Sequence, residues 1–195
     1  MRKVIILSML LLFWTDAMAQ GNIEMAVVIP NNPEEISRNT YSILGNKLLG
    51  AMTRNGVASV EYSGIVVMPE VSFLDKQVVE SGMRKTIIAD VDITFNAIHV
   101  VTGEVFNSVT ISLRGFGESL DDVTKVAVNS LKQDDDRIRN FINQSKLNIV
   151  DYYKKNTNTL IGKARNLASM QRFDEALALL ETYPATLNGY KEVSQ

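Results

Sequence analysis

The chain has 195 residues, 46% of them hydrophobic and 22% charged, with a formal net charge of −2, one histidine and no cysteine. This is a globular balance, and it excludes the concentrated basic field that gathers nucleic acid or an anionic membrane. The absence of cysteine excludes disulfide staples, cysteine-based zinc sites and acylation at a lipobox.

The amino terminus reads as an export signal. Arg2 and Lys3 precede an apolar run from Val4 to Trp14, and Ala17-Met18-Ala19 follows before Gln20. A basic start, a short apolar middle and an Ala-x-Ala ending are the parts of a secretory signal peptide. The apolar run falls short of the roughly 20 residues that cross a bilayer core. Cleavage after Ala19 leaves 176 residues, 18 basic and 21 acidic. The expected product is periplasmic or secreted, not lipid-anchored, and has no membrane span after cleavage.

Ile23 to Ile29 is a nearly continuous apolar run, as suits a strand covered on both faces. Asn32-Pro33-Glu34-Glu35 reads as a helix start, with asparagine capping and proline at the first helical position. Ile36, Tyr41, Leu44, Leu48, Leu49 and Met52 form its apolar stripe, and Asn55-Gly56 ends it near Arg54. A strand from Val57 to Val67 completes a β-α-β opening. Ile65, Val67, Val71 and Phe73 alternate around Pro69, which implies a bulge or a sheet edge near that proline. Asp75 to Gly82 reads as a turn or a short helix.

From Thr86 the alternation sharpens. Val91, Ile93, Phe95 and Ala97 share one face; Asp90, Asp92, Thr94 and Asn96 share the other, so one side of this sheet meets water or a partner. Thr102-Gly103 supplies a hairpin turn. The return strand carries Val105, Val109, Ile111 and Leu113 on its apolar side. Gly115-Phe116-Gly117 ends it, and Ser119 with Asp122 three positions on forms a capping-box-like helix start. Leu120, Val123, Ala127 and Leu131 make that helix's stripe. Asp134-Asp135-Asp136 opens a longer helix with Ile138, Phe141, Ile142, Ile149, Tyr152 and Tyr153. A break is expected at Asn156 to Thr159, then helices over Leu160–Met170 and Phe173 to about Glu181.

The expected fold class is α+β, a two-layer sandwich. Its mixed sheet opens with a β-α-β unit, continues in a long β-hairpin, and carries helices on one face and a C-terminal helical hairpin. The expected division is a signal peptide over 1–19, an α/β domain over 20–155 and a helical hairpin over 156–195.

Two segments resemble known families. Asp92-Ile93-Thr94-Phe95, Thr102-Gly103-Glu104-Val105 and Gly115-Phe116-Gly117-Glu118-Ser119, followed by an alanine-containing helix, resemble the curli secretion-channel family. The same pattern is similar to the amino-terminal domains of TolB, of flagellar assembly factors and of penicillin-binding-protein activators. The resemblance spans roughly residues 23–155 and implies an envelope-assembly scaffold in which Gly103, Gly115, Gly117 and Ser119 are structural turn residues. The chain lacks the cysteine by which several members are anchored, and it shows no long amphipathic hairpin of the kind a pore needs. The second segment, Ala164 to Leu177 with its Phe173-Asp174-Glu175-Ala176-Leu177 helix start, is similar to one tetratricopeptide unit. About three such units are wanted for independent stability, so a single one is expected to dock on the preceding domain or on a partner.

Chemistry-bearing residues are sparse. His99 is the only histidine and has no cysteine or spaced carboxylates with which to hold zinc, so it reads as a packed or surface residue. Asp90 and Asp92 share a face, as acid–base pairs do, yet Thr94 and Asn96 continue that face as a solvated sheet would. Asp134 to Asp136 lacks the alternation, glycine and terminal glutamate of a calcium loop. Gly115-x-Gly117 before a helix raises phosphate binding, but Glu118, Asp121 and Asp122 crowd that helix end with negative charge and no lysine sits at the turn.

The expected function is therefore a non-catalytic exported module, without cofactor or metal, that acts in the bacterial envelope through a protein partner or self-association. The candidate interaction surface is the polar sheet face around Asp92, Thr94 and Asn96 together with the tail around Tyr153; Tyr152 and Phe173 read as core. The alternative is a periplasmic small-ligand or glycan-binding domain, and a third reading is a hydrolase using Asp90 and Asp92. Mass spectrometry of the exported product should find Gln20 at its amino terminus; a mature protein beginning at Met1 would overturn the export reading.

Overall fold

The computed structural model describes residues 23–30, 35–60, 62–82, 84–187 and 189–194. The signal peptide and the Asn32-Pro33-Glu34 helix start lie outside the described residues. Strand β1 (Glu24–Val27) takes the first apolar run, and helix α1 (Arg38–Arg54) follows it. Ser37 caps α1, its hydroxyl accepting from the Thr40 N–H at 3.2 Å. The cap is therefore serine rather than the expected Asn32. Ile36, Tyr41, Leu44, Leu48 and Met52 are buried as the stripe requires, with Leu49 half-buried. Asn55 closes the helix, and Gly56 turns the chain at φ +68°.

The expected Val57–Val67 strand is realised as two pieces, β2 (Ala58–Ser59) and the start of β3 (Ile65–Ser81). Both pair with β1 in parallel, which confirms the β-α-β opening. Strand β4 (Arg84–His99) and β5 (Val105–Gly117) add antiparallel, giving the order β2-β1-β3-β4-β5. The fold is a mixed sheet with helices, α+β as expected.

Pro69 sits at an edge, not at a bulge. The Val67 carbonyl accepts from the Val28 N–H at 3.1 Å, so Pro69, two residues on, turns its missing donor toward the same side after β1 has ended. The bulge comes later, between Leu74 and Gln77, where Asp75 adopts φ +44°. Asp75 to Gly82 is neither a helix nor a local turn. It is the outer half of a 17-residue strand, turned at Gly82 with φ +64°.

β4 alternates as read: Val91, Ile93, Phe95 and Ala97 are buried against the helices. Val105 does not join the apolar side of β5; it is 53% exposed, and Phe106 is buried instead. The cause is a register shift in which Ala97 faces Asn107 while Ile98 faces Val105. One extra residue there reverses which side chains face the core.

Helix α2 (Leu120–Ser130) begins at Ser119, which accepts from the Asp122 N–H at 3.1 Å and donates to Asp122 Oδ2 at 2.7 Å. It lies almost in contact with the β5 backbone. A Cβ on Gly115 would fall 2.1 Å from the Val123 carbonyl oxygen, and one on Gly117 would fall 2.4 Å from Asp122 Cβ. The two glycines thus permit helix and strand to touch main chain to main chain.

Helix α3 (Asp136–Ser169) runs 34 residues without the break expected at Asn156–Thr159. Asn156 and Thr157 return their side chains to the Tyr152 and Tyr153 carbonyls one turn back, at 2.9 and 2.6 Å. In that posture they are tolerated inside a helix, and buried Leu160 and Ala164 prolong the stripe begun by Ile149 and Tyr153. The 155/156 boundary falls inside α3. Helix α4 (Phe173–Glu181) folds back on it, and a short α5 (Tyr190–Val193) ends the described chain.

Gly115→Ala should destabilise the protein by about 1–3 kcal/mol, the usual range for overpacking a tight contact. Ser119→Ala should cost about 1 kcal/mol through the lost cap. Urea unfolding reads both, and a Gly115→Ala midpoint equal to that of the parent would refute the close approach.

Candidate interaction surfaces

The side of the sheet away from the helices carries the predicted polar residues. Asp92, Thr94 and Asn96 are half-buried along β4, flanked by exposed Ser72 on β3 and by exposed Ser108, Thr110 and Ser112 on β5. The three are brought together as alternation requires. Much of this face is satisfied internally: the Thr94 and Thr110 hydroxyls lie 2.9 Å apart, and Ser108 donates to Asn96 Oδ1 at 2.7 Å. Asp90 stands 3.9 Å from the Arg114 guanidinium. Asp92 Oδ1 is buried and has no hydrogen-bond partner among the described residues. Among the described residues no group of three or more histidines and carboxylates is placed to hold a metal ion.

The tail residues exchange the roles read from sequence. Tyr153, a candidate surface residue, is fully buried. It donates to the Thr182 carbonyl at 2.7 Å and stacks edge-on to Tyr152 and Tyr183. Burial raises its phenol pKa well above the usual value. Tyr152 is half-buried, whereas Phe173, read as core, is 62% exposed beside exposed Met170 and Leu177. Tyr153 faces inward because α3 continues unbroken past it and α4 folds over that side. With no further helical repeat beside it among the described residues, the outer face of α4 is left bare.

Among the turn residues, Gly103 adopts φ +71° and donates its N–H to the His99 carbonyl at 2.9 Å. His99 is buried beneath this turn, ringed by Phe106, Tyr152 and Tyr153. Its Nδ1 accepts from the Val101 and Thr102 N–H groups, both at 3.3 Å. Its Nε2 lies 3.2 Å from the Thr182 hydroxyl, which itself donates to the Leu179 carbonyl. The imidazole therefore carries its proton on Nε2 and is neutral. Burial lowers its pKa below the usual value. One side chain thus ties the β4–β5 turn to the end of α4.

Sequence reasoning missed the outer edge of β3. Beyond Val67 no strand pairs with that edge among the described residues, and from Leu74 to Ser81 every residue is exposed. Leu74, Val78 and Val79 are each about half exposed there, and Phe116 stands exposed near the same end of the sheet. The Val78-Val79 pair in an otherwise polar 75–82 segment is the available signal for a strand where the sequence otherwise suggests a turn or a short helix.

No family model matches the sequence, and no curated protein matches it. Among solved structures the chain is similar to a minor lipoprotein from Acinetobacter baumannii, at 13% identity and a TM-score of 0.38, with 64% of this chain and 93% of the other covered. It is also similar to the PelC dodecamer from Paraburkholderia phytofirmans, at 16% identity and a TM-score of 0.36, with 67% and 91% covered. Both are bacterial proteins, and scores of this size assign no function.

His99 supplies a pH-dependent stability. Its pKa is lowered on folding, so its contribution is complete above the unfolded value of about 6.5 and is lost as the pH falls through the folded value. Urea unfolding from pH 8 to pH 5 should show stability falling with acidity below about 6.5, by at most about 1.4 kcal/mol per pH unit from this residue. His99→Gln should flatten that part of the profile. An unchanged slope in the variant would show that other groups carry it.

Proposed function

We propose that the chain is a non-catalytic exported module of the bacterial envelope that acts by contacting another protein. The observation that carries this reading is the outer edge of β3 beyond Val67, which no strand covers among the described residues and which carries exposed Leu74, Val78 and Val79. Such an edge is a template for an added strand, in which main-chain hydrogen bonds supply affinity and alternate side chains supply selectivity. Asp75 and Lys76 lie between Leu74 and Val78, and Glu80 follows Val79, as charges that restrain indiscriminate pairing do. The amino-terminal export pattern and the resemblance of the hairpin and Gly-x-Gly-x-Ser corner to the curli secretion-channel and TolB group support the envelope setting. The polar face of Asp92, Thr94 and Asn96 adjoins this edge and would flank an added strand.

A photo-activatable residue at Val79, in the full chain expressed in intact bacterial cells, tests the reading. Illumination should give adducts of defined mass, identified by mass spectrometry. The same residue at Asn46, on the exposed side of α1, should give few. Recovery of monomer alone from Val79, or equal adducts from both positions, would overturn it.

A further inference from the structure

We infer that a groove at the β1 end of the sheet binds a lysine- or arginine-bearing apolar segment of a partner protein. Glu24, Ala26 and Val28 fall at every second position along β1 and just past it, and so share the face away from α1. Ala26 is in register with Val66 of β3, and the Val100-Val101 turn closes one side. Ala178 of α4 supplies the opposite wall, and with Ala26, Val28, Val66, Val100 and Val101 it lines a groove of about 520 Å³ with Glu181 at its margin. It continues past Tyr62 and Gly64 into a cavity of about 180 Å³ lined by Glu24, Glu181, Tyr183 and Tyr190.

The two halves differ in chemistry. The larger offers Val28, Val100 and Val101, each about half exposed, and the 85% exposed Tyr62. Gathered in one concavity, these four give the groove an apolar half. The smaller half presents two carboxylates and several tyrosines. Among the described residues no lysine or arginine lines either half. Neither glutamate side chain takes part in a hydrogen bond or ion pair among those described.

Carboxylates without a counter-charge beside tyrosine rings favour a cation, held by charge-assisted hydrogen bonds at its head and by ring faces along its flank. Lysine and arginine carry an aliphatic stem that lies well on Tyr62 while the head reaches the glutamates. The apolar half then takes the neighbouring side chains of the same segment. An anionic membrane is disfavoured, because Glu24 and Glu181 would meet its phosphates. This inference rests on the proposed protein-contacting role and gives one partner surface its chemistry.

The test uses the full mature chain and synthetic 12-residue peptides followed by fluorescence anisotropy. A leucine–lysine peptide should bind, and its affinity should fall with salt, as charge pairing requires. Glutamate in place of lysine, or serine in place of leucine, should abolish binding. The Glu24→Gln/Glu181→Gln double variant should weaken the leucine–lysine peptide by about tenfold, the effect of losing charge-assisted contacts. The Glu118→Gln/Asp134→Asn pair, exposed and outside the groove, removes the same charge elsewhere and should leave affinity within about twofold, the limit for distant surface charges. Equal losses in both double variants, equal binding of the glutamate peptide, or capture of the chain by phosphatidylglycerol vesicles would each overturn the inference. So would no peptide binding at all. Adducts persisting at Val79 in those cases would keep the wider reading standing.

Discussion

The contact between α2 and β5 sets the rest of the arrangement. Gly115 and Gly117 let the Val123 and Asp122 main chain come within van der Waals range of the strand, a separation at which no side chain fits. Placed that close, α2 presses Val123, Ala127 and Val128 onto Val91, Ile93 and Ile111. The contact also aims the start of α2 at the start of α1. Asp121 accepts from the Ser37 N–H and the Thr40 hydroxyl, both at 2.7 Å. Partial burial works to raise the Asp121 pKa, but the hydrogen bonds from Ser37 and Thr40 together with the nearby Lys125 charge outweigh it and hold the carboxyl below its usual value. The acids that crowd this corner thus have structural duties: Asp122 completes a cap and Asp121 joins two helices.

That corner was legible in the sequence because each of its signals is local. Gly-x-Gly before a serine cap, and an acid three residues later, are determined within a few residues, as is the two-residue period of β4. What the sequence concealed was decided by partners far along the chain. Pro69 left a bulge and an edge both open, and the edge holds because the neighbouring strand has already stopped there. Asn156 to Thr159 looked like a linker, yet asparagine and threonine that bond back to the preceding turn let α3 pass straight through. Tyr153 and Phe173 exchanged places for the same reason. Which face of a tail helix is buried depends on how α4 folds over α3, and no periodicity within either helix encodes that.

The end of the helical tail meets the sheet at Thr182. Thr182 ends α4, receives the His99 ring, offers its carbonyl to Tyr153, and packs on Gly64 so closely that a Cβ there would lie 2.4 Å from its own. Gly64 in turn accepts the Val100 N–H at 2.9 Å. Turn, loop and helix end therefore form one connected unit centred on a buried neutral histidine. A histidine with no ligating neighbours in sequence gives no hint of this, because its partners lie at 101–102 and at 182 and meet only in the fold.

The same junction creates the groove. Its floor comes from β1 and β3, one wall from the Val100-Val101 turn and the other from α4, so its shape requires Thr182 to be seated against Gly64. Holding α4 there leaves Glu24 and Glu181, 157 positions apart in the chain, facing one cavity. Among the described residues no lysine or arginine lines the cavity beside them. On the proposed reading the groove requires a cation that arrives with something apolar attached. That requirement makes the carboxylate pair the selective element of the surface, and the valines beside it a source of affinity for whatever the pair admits.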